Sequence, residues 1–161
     1  MIDARDAELS VREAGMYVNS GYAYARRRQH DKALSEFAKA LEIDPTNIDA
    51  HYNTGTSYAA KGNIEKALEY LNKTIEMNPD DADAYFNRGV TYGKKGDYFH
   101  AAADFNKVLE IDPNDADAYY VRGYCYFNMG KRDVAQTDYV KAAQLGLKLA
   151  QDYLKGKGQK W

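Results

Sequence analysis

The sequence has only one cysteine, one tryptophan and three prolines, and no long apolar run. A single cysteine, Cys125, excludes a disulfide framework within the chain and is typical of a reducing compartment. No apolar stretch approaches the ~18 residues that a membrane-spanning helix needs, and the first six residues lack the basic and apolar segments of a signal peptide. We therefore expect a cytoplasmic protein with no direct membrane span. An anchor or signal outside this sequence stays open.

The sequence also lacks a surplus of either charge. It has 22 Lys and Arg and 24 Asp and Glu, which gives a formal net charge of −2. Phosphate backbones are captured by a cationic surplus, so we predict no nucleic-acid partner. The main basic cluster, Arg26 to Arg28, is typical of a solvated helix end that complements the helix dipole. A hydrophobic content of 45% with 29% charged residues indicates a folded globular chain.

Patterns of catalysis and metal binding are also missing. His30, His51 and His100 fall at unrelated positions and do not cluster with carboxylates or with Cys125. The sequence shows no metal-ligand spacing, no nucleophile elbow and no phosphate-binding glycine loop. We predict no metal, no cofactor and no enzymatic activity, and we interpret Cys125 and His51 as packing residues.

What the sequence does contain is a repeat with a period of 34 residues. Five columns keep this interval, and each holds one residue type or closely related types. The columns are Pro45, Pro79 and Pro113; Gly21, Gly55, Gly89 and Gly123; Ala33, Ala67, Ala101 and Ala135; Phe37, Leu71, Phe105 and Tyr139; and Tyr24, Tyr58, Tyr92 and Tyr126. Five independent columns with one period indicate tandem structural units.

Each period contains two helical patterns of about 14 residues, separated by a short turn. The glycine column on the first helix, with the alanine column on the second, allows the two helices to approach closely. Gly62, Gly96 and Gly130 fall where the first helix ends and predict a left-handed C-cap. The first repeat has Arg28 there, which predicts a strained or rearranged turn. The Asp-Pro and Asn-Pro pairs predict the end of each second helix, because proline disfavours helical geometry in the residue before it.

These columns resemble the tetratricopeptide repeat family. The motif is clearest in the third repeat, as Tyr85 to Gly89 with Tyr92, then Ala101, Phe105 and Asp112-Pro113. The resemblance implies an all-α fold, a right-handed superhelical α-solenoid of antiparallel helix pairs. The predicted parts are repeats at 14–47, 48–81, 82–115 and 116–146, a capping helix at 147–155, a mobile tail at 156–161, and residues 1–13 as an N-terminal tail or the start of the first helix.

In that family the first helix of each pair lines a concave groove, so the resemblance places peptide-binding residues at defined positions. The implied groove carries an acidic row, an asparagine row and rows of aromatic or apolar side chains. They are Asp49, Asp83 and Asp117; Asn19, Asn53 and Asn87; and Tyr22, Tyr52, Phe86, Val90, Tyr120 and Tyr124. A carboxamide both donates and accepts hydrogen bonds, so the asparagine row is suited to a peptide backbone. The aromatic row is expected to be exposed; the alternative is that its rings pack sideways on their neighbours.

These rows predict a protein-protein interaction scaffold that binds an extended or helical peptide segment of a partner. The acidic row favours a ligand that is neutral to basic, with apolar anchors. It also disfavours the carboxylate clamp by which some family members hold heat-shock chaperones, because Asp83 and Asp117 would repel a carboxylate. Two alternatives stay open: a self-assembling scaffold that forms homo-oligomers, and a regulatory adaptor subunit of a larger complex.

Overall fold

The computed structural model describes the backbone of residues 4–161 and the side chains of residues 9–161. Residues 1–3 of the predicted N-terminal segment lie outside the described residues. Throughout the described part the chain forms helices and turns and no strand, which confirms the predicted all-α fold. The helices are α1 (Ala4–Arg26), α2 (His30–Ile43), α3 (Ile48–Ala60), α4 (Ile64–Met77), α5 (Ala82–Lys95), α6 (Tyr98–Ile111), α7 (Ala116–Asn128), α8 (Arg132–Gln144) and α9 (Lys148–Gly156).

The chain divides into two compact units, Met1–Pro79 and Asp80–Trp161. In the first unit α1 packs against α2, α3 packs against α4, and α2 also contacts α3. In the second unit α5 pairs with α6 and α7 with α8, while α6 contacts α7 and α9 packs on α8. Short turns make the two helices of each pair antiparallel. Among the described helices, none is both long and apolar enough to cross a membrane.

The glycine column makes room for a large side chain of the same repeat, a leucine in the second repeat and an aromatic ring in the other three. A Cβ atom at Gly21 would lie 2.4 Å from the ring of Phe37, and one at Gly123 would lie 3.0 Å from the ring of Tyr139. Both rings are buried, so they have little room to move away. The predicted close approach at this column is confirmed, and at Gly123 the backbone oxygen of Ala135 would also lie only 3.1 Å from the added Cβ atom.

Proline residues and side-chain caps determine where several helices end or begin. In each of the second helices α2, α4 and α6, the residue after the last helical one precedes a proline, and its backbone leaves the helical region. These residues are Asp44, Asn78 and Asp112. The carboxylate of Asp81 accepts a hydrogen bond from the backbone N–H of Ala84 at 2.9 Å, and so caps α5. The predicted ends of the second helices are therefore confirmed.

The turn inside each repeat carries one residue in the left-handed conformation. The backbone angle φ is +79° at Gly62, +84° at Gly96 and +78° at Gly130, which confirms the predicted C-caps. Arg28 has φ of +58° at the same place and is the only non-glycine residue with positive φ in the described part of the chain. An L-residue loses roughly 1–2 kcal/mol in this conformation, so the predicted strain in the first turn is confirmed.

Replacement of this arginine by glycine is expected to stabilise the first unit by roughly 0.5–1 kcal/mol. Glycine adopts positive φ without a steric clash, and the Arg28 side chain is exposed. Thermal unfolding followed by circular dichroism measures the change. The matched control is Arg27→Gly, one residue earlier and without positive φ, which is expected to lower the melting temperature. Equal losses in the two variants would show that the turn is unstrained.

The last helix covers the end of the second unit. Ala150 and Leu154 of α9 are buried against Tyr139 and Ala143 of α8. The side-chain amide Nε2 of Gln151 donates to the carbonyl oxygen of Ala143 at 3.0 Å. These contacts remove the apolar end of the helix stack from water, as a terminal element of a repeat array must. The mobility of the residues after α9 stays a prediction.

Candidate functional site

Four side chains recur along one face of each first helix. Their spacing of four, three and four residues returns each time to the same side of an α-helix. We name these rows the stripes of α1, α3, α5 and α7. They consist of Gly15, Asn19, Tyr22 and Arg26; Asp49, Asn53, Thr56 and Ala60; Asp83, Asn87, Val90 and Lys94; and Asp117, Val121, Tyr124 and Asn128.

The asparagines at the second place of the stripes bond to their own helices. Nδ2 of Asn53 donates to the carbonyl oxygen of Asp49 at 2.8 Å, and Nδ2 of Asn87 donates to that of Asp83 at 2.9 Å. Each bond uses one amide hydrogen and fixes the direction of the side chain. The carboxamide of Asn53, held in this way, offers a ligand its oxygen and its second N–H, which is less than the two-sided hydrogen bonding that the sequence suggests. Asn19 of the α1 stripe is exposed.

The acidic row stands in the first turns of α3, α5 and α7. The side chains of Asp49, Asp83 and Asp117 are all exposed. The N-terminal turn of a helix favours negative charge, so each carboxylate stabilises its own helix. Each also makes its end of the stripe negative. The helix dipole alone accounts for their presence, and a role in binding stays a prediction.

Two rings of the predicted aromatic row face solvent. Tyr22 of the α1 stripe and Tyr124 of the α7 stripe are each 52% exposed. The guanidinium carbon of Arg26 lies 6.0 Å from the centroid of the Tyr22 ring, within reach of a cation–π contact. These two rings lie on the stripes themselves, which accounts for their exposure.

The other rings of that row turn toward the second helices. Phe86 packs edge-on against Phe105 with centroids 5.4 Å apart, and Tyr120 tilts onto Tyr139 at 5.3 Å. Burial raises the pKa of the Tyr120 hydroxyl. Tyr52 is half-buried. Phe86 and Tyr120 therefore pack sideways on their neighbours, which was the alternative to exposure. Each lies one residue before a stripe residue, so its side chain points toward the second helix of the pair.

In the second unit the stripes of α5 and α7 flank an apolar pocket with a volume of about 290 Å³. Side chains from both stripes line it, and Phe105 and Cys125 contribute from the interior. The stripe residues at the pocket are Val90, Lys94, Val121 and Tyr124. Such a small apolar pocket suits a single side chain rather than a whole small-molecule ligand.

Gly93 of α5 is one of the residues that line the pocket. A Cβ atom there would meet no other atom within 4 Å, so the space beside Gly93 is open. The corresponding residues in the other repeats are larger: Ala25, Ala59 and Phe127. The sequence analysis did not predict this pocket, although the sequence shows that residues 25, 59, 93 and 127 differ in size.

Two buried ion pairs hold the first helices of the second unit. Nε and Nη2 of Arg88 donate to the two carboxylate oxygens of Asp104 at 2.9 and 2.6 Å. Arg122 makes the same paired contact with Asp138 at 2.8 and 2.7 Å. Burial raises the pKa of Asp104, while the Arg88 guanidinium opposes that rise. The pairs join α5 to α6 and α7 to α8, and so set the position of both stripes.

These ion pairs were not predicted, although the sequence contains a regular spacing that indicates them. Arginine and aspartate recur 16 residues apart in the third and fourth repeats. The corresponding positions of the first unit hold Ser20 with Glu36, and Thr54 with Tyr70. A column that changes its chemistry between repeats is easily overlooked in a search for constant columns.

Cys125 and His51 both pack in the interior, as the sequence indicates. Burial raises the pKa of the Cys125 thiol to about 11, so the thiol stays protonated at neutral pH. His51 stacks against Tyr70 with centroids 5.7 Å apart, and its Nε2 lies 2.9 Å from the carbonyl oxygen of Pro45. Over the described side chains, no three His, Cys, Asp or Glu residues are grouped so that they could hold a metal ion.

Comparison with known families decides what the repeats are. A family model described as TPR repeat matches residues 21–62 and 55–96. Two further models described as tetratricopeptide repeat match residues 82–115 and 105–136. The chain belongs to the tetratricopeptide repeat family. Proteins of this family are typically non-enzymatic scaffolds for protein interactions.

Solved structures share the tetratricopeptide fold. A crystal structure of MamA is 23% identical, with a TM-score of 0.80, and the match covers 94% of this chain and 99% of that chain. A second MamA crystal structure is 25% identical, with a TM-score of 0.79 and coverage of 91% and 80%. The first TPR of Spaghetti (RPAP3), bound to HSP90 peptide SRMEEVD, is 22% identical with a TM-score of 0.72 and coverage of 74% and 94%. A comparison with curated protein sequences found no match.

Proposed function

We propose that this tetratricopeptide repeat protein is an interaction scaffold that binds a peptide segment of a partner protein on its stripes. The supporting observation is the apolar pocket of the second unit, because exposed apolar concavities bordered by polar groups usually mark binding sites. The proposed contacts in the first unit are Asn19, Tyr22, Asp49, Tyr52 and Asn53. Those in the second unit are Asp83, Asn87, Val90, Asp117 and Tyr124, together with the parts of the half-buried Phe86 and Tyr120 that their packing on Phe105 and Tyr139 leaves exposed.

The chemistry of the stripes favours a ligand that is neutral to basic overall. Exposed carboxylates at Asp49, Asp83 and Asp117 attract positive charge and repel a carboxylate terminus. The Spaghetti repeat binds SRMEEVD, which has three acidic residues and one basic residue. We expect this chain to reject that peptide. Micromolar affinity, about −8 kcal/mol, is expected for an accepted peptide, because ordering a flexible segment opposes binding.

The asparagines provide the test of this proposal. Asn53→Ala and Asn87→Ala, made singly, are each expected to weaken a bound peptide roughly 3- to 10-fold, through the loss of hydrogen bonds to its backbone. The probes are peptides selected from a phage-displayed random library on the wild-type chain, titrated by fluorescence polarisation.

The matched control is Asn114→Ala, an exposed asparagine in the turn before α7 and outside every stripe. It should leave the affinity unchanged, and circular dichroism should show equal helicity in all variants. Unchanged affinity for both stripe variants would contradict the role of the asparagines. Selected peptides that are mainly acidic would contradict the proposed ligand charge, and SRMEEVD serves as the acidic reference.

Self-assembly and a regulatory adaptor role are the alternative functions. Light scattering over a wide concentration range separates self-assembly from peptide binding by a monomer. A monomeric mass at every concentration excludes a homo-oligomeric scaffold. An adaptor differs from a simple scaffold only in the partner that it holds, so identification of a natural partner distinguishes those two.

A further inference from the structure

The charge of the α5 stripe changes sign along the helix. Asp83 stands in the first turn, Val90 in the middle and Lys94 in the last turn. At a rise of 1.5 Å per residue, about 16 Å separate Asp83 and Lys94 along the axis. An extended peptide covers that distance with about five residues. A ligand on this stripe therefore meets a carboxylate, an apolar centre and an ammonium group in that order.

The neighbouring stripe of α7 reinforces this order. Asp117 adds a second carboxylate at the acidic end, and the uncharged Asn128 stands at the other end. Among the described side chains, Asp83, Asp117 and Lys94 form no ion pair within the protein, and all three are exposed. These charges are therefore available to a ligand.

The apolar centre coincides with the pocket beside Gly93. Val90, Val121 and Tyr124 line it, and the buried ring of Phe105 contributes from the interior. The other stripes lack this arrangement. The α3 stripe ends in Ala60, and the basic residue of the α1 stripe, Arg26, lies near the Tyr22 ring.

We infer that the pocket receives one large apolar side chain of the partner segment, with a basic residue of that segment at Asp83 and Asp117 and an acidic residue at Lys94. This inference rests on the proposed function, since it specifies which segment binds the second unit. The occupant is a mixed-charge segment whose basic and acidic residues are about five positions apart in sequence. The order of those charges fixes the direction in which the segment lies along α5.

Closing the pocket tests the inference. Gly93→Phe gives the third repeat the residue that the fourth repeat carries as Phe127, and the Cβ atom of the new side chain would meet no other atom within 4 Å. Library peptides selected on the wild-type chain should lose affinity about tenfold or more, because a ring attached at the pocket lining would compete with the apolar side chain of the peptide. The control, Ala103→Phe, adds the same ring at an exposed position of α6 and should leave the affinity unchanged.

The charge order has a test that does not alter packing. Lys94→Glu should weaken peptides that contain an acidic residue by roughly 3- to 10-fold, and should not weaken their variants with glutamine in its place. Lys95→Glu, the adjacent exposed lysine off the stripe, is the control. Asp83→Lys should weaken the same peptides through their basic residue.

The outcomes separate the two proposals. Selected peptides that carry an apolar residue between opposite charges, and that lose affinity in Gly93→Phe and Lys94→Glu, support the inference. If Gly93→Phe and Lys94→Glu bind as the wild type does while Asn87→Ala binds weakly, the pocket inference is wrong and the scaffold function stands. If no library peptide binds the wild-type chain, both are wrong. Circular dichroism verifies that each variant keeps its helicity.

Discussion

Asp138→Ala is expected to destabilise the second unit by about 3–5 kcal/mol. The substitution removes both carboxylate oxygens that accept hydrogen bonds from Arg122, whose side chain is only 19% exposed. The guanidinium stays charged at every accessible pH, so it cannot relieve its isolation by releasing a proton. Its remaining hydrogen bond, from Nη1 to Oδ1 of Asn106 at 2.7 Å, carries no compensating charge. An uncompensated buried charge is among the most damaging single changes in a protein interior.

Urea unfolding followed by circular dichroism measures this loss. The control is Asp152→Ala on α9, an exposed aspartate of the same unit, with an expected change within about 0.5 kcal/mol. The double variant Arg122→Met with Asp138→Leu removes both charges and should cost less than Asp138→Ala alone. A cost for Asp138→Ala no larger than that of the control would show that the pair contributes little to stability.

Gly21→Ala is expected to destabilise the first unit by about 2–3 kcal/mol. The new methyl group would lie 2.4 Å from the ring of Phe37, which is fully buried. Either the ring leaves its rotamer or α1 moves away from α2. Both responses disturb the core, and they outweigh the gain in helix propensity that alanine brings.

The same helix supplies the control for this substitution. Gly15 lies six residues earlier in α1, and a Cβ atom there meets no other atom within 4 Å. Gly15→Ala should therefore stabilise the protein by roughly 0.5–1 kcal/mol, through helix propensity alone. Thermal and urea unfolding of both variants give the comparison. Equal effects of the two substitutions would refute the steric role of the glycine column.

Much of the fold could be predicted because its rules are local. The left-handed turns at Gly62, Gly96 and Gly130 and the strained turn at Arg28 depend on which residues tolerate positive φ. The helix ends before proline depend on one clash between neighbouring residues. The close approach at Gly21 follows from the absence of a side chain at a regularly spaced position. Each of these rules needs only the sequence and the repeat period.

The candidate site was less accessible from sequence because it depends on side-chain directions. Phe86 and Tyr120 pack inward while Tyr124 faces solvent, and only the geometry of the helix pair separates them. The carboxamide of Asn53 turns back to its own helix, a choice that the residue type leaves open. The pocket beside Gly93 is lined by residues of three helices, α5, α6 and α7, so no sequence motif marks it.

The buried ion pairs of the second unit have a consequence for how the protein responds to heat. The cost of removing charges from water falls as temperature rises, so such pairs contribute relatively more in a warm solution than in a cold one. The first unit has no arginine–aspartate pair at the equivalent places, which hold Ser20 with Glu36 and Thr54 with Tyr70, and it also carries the strained turn at Arg28. Repeat arrays lose their structure in segments rather than all at once. On warming, we expect α1 to α4 to open first, while α5 to α9 keep their shape and the Gly93 pocket stays folded.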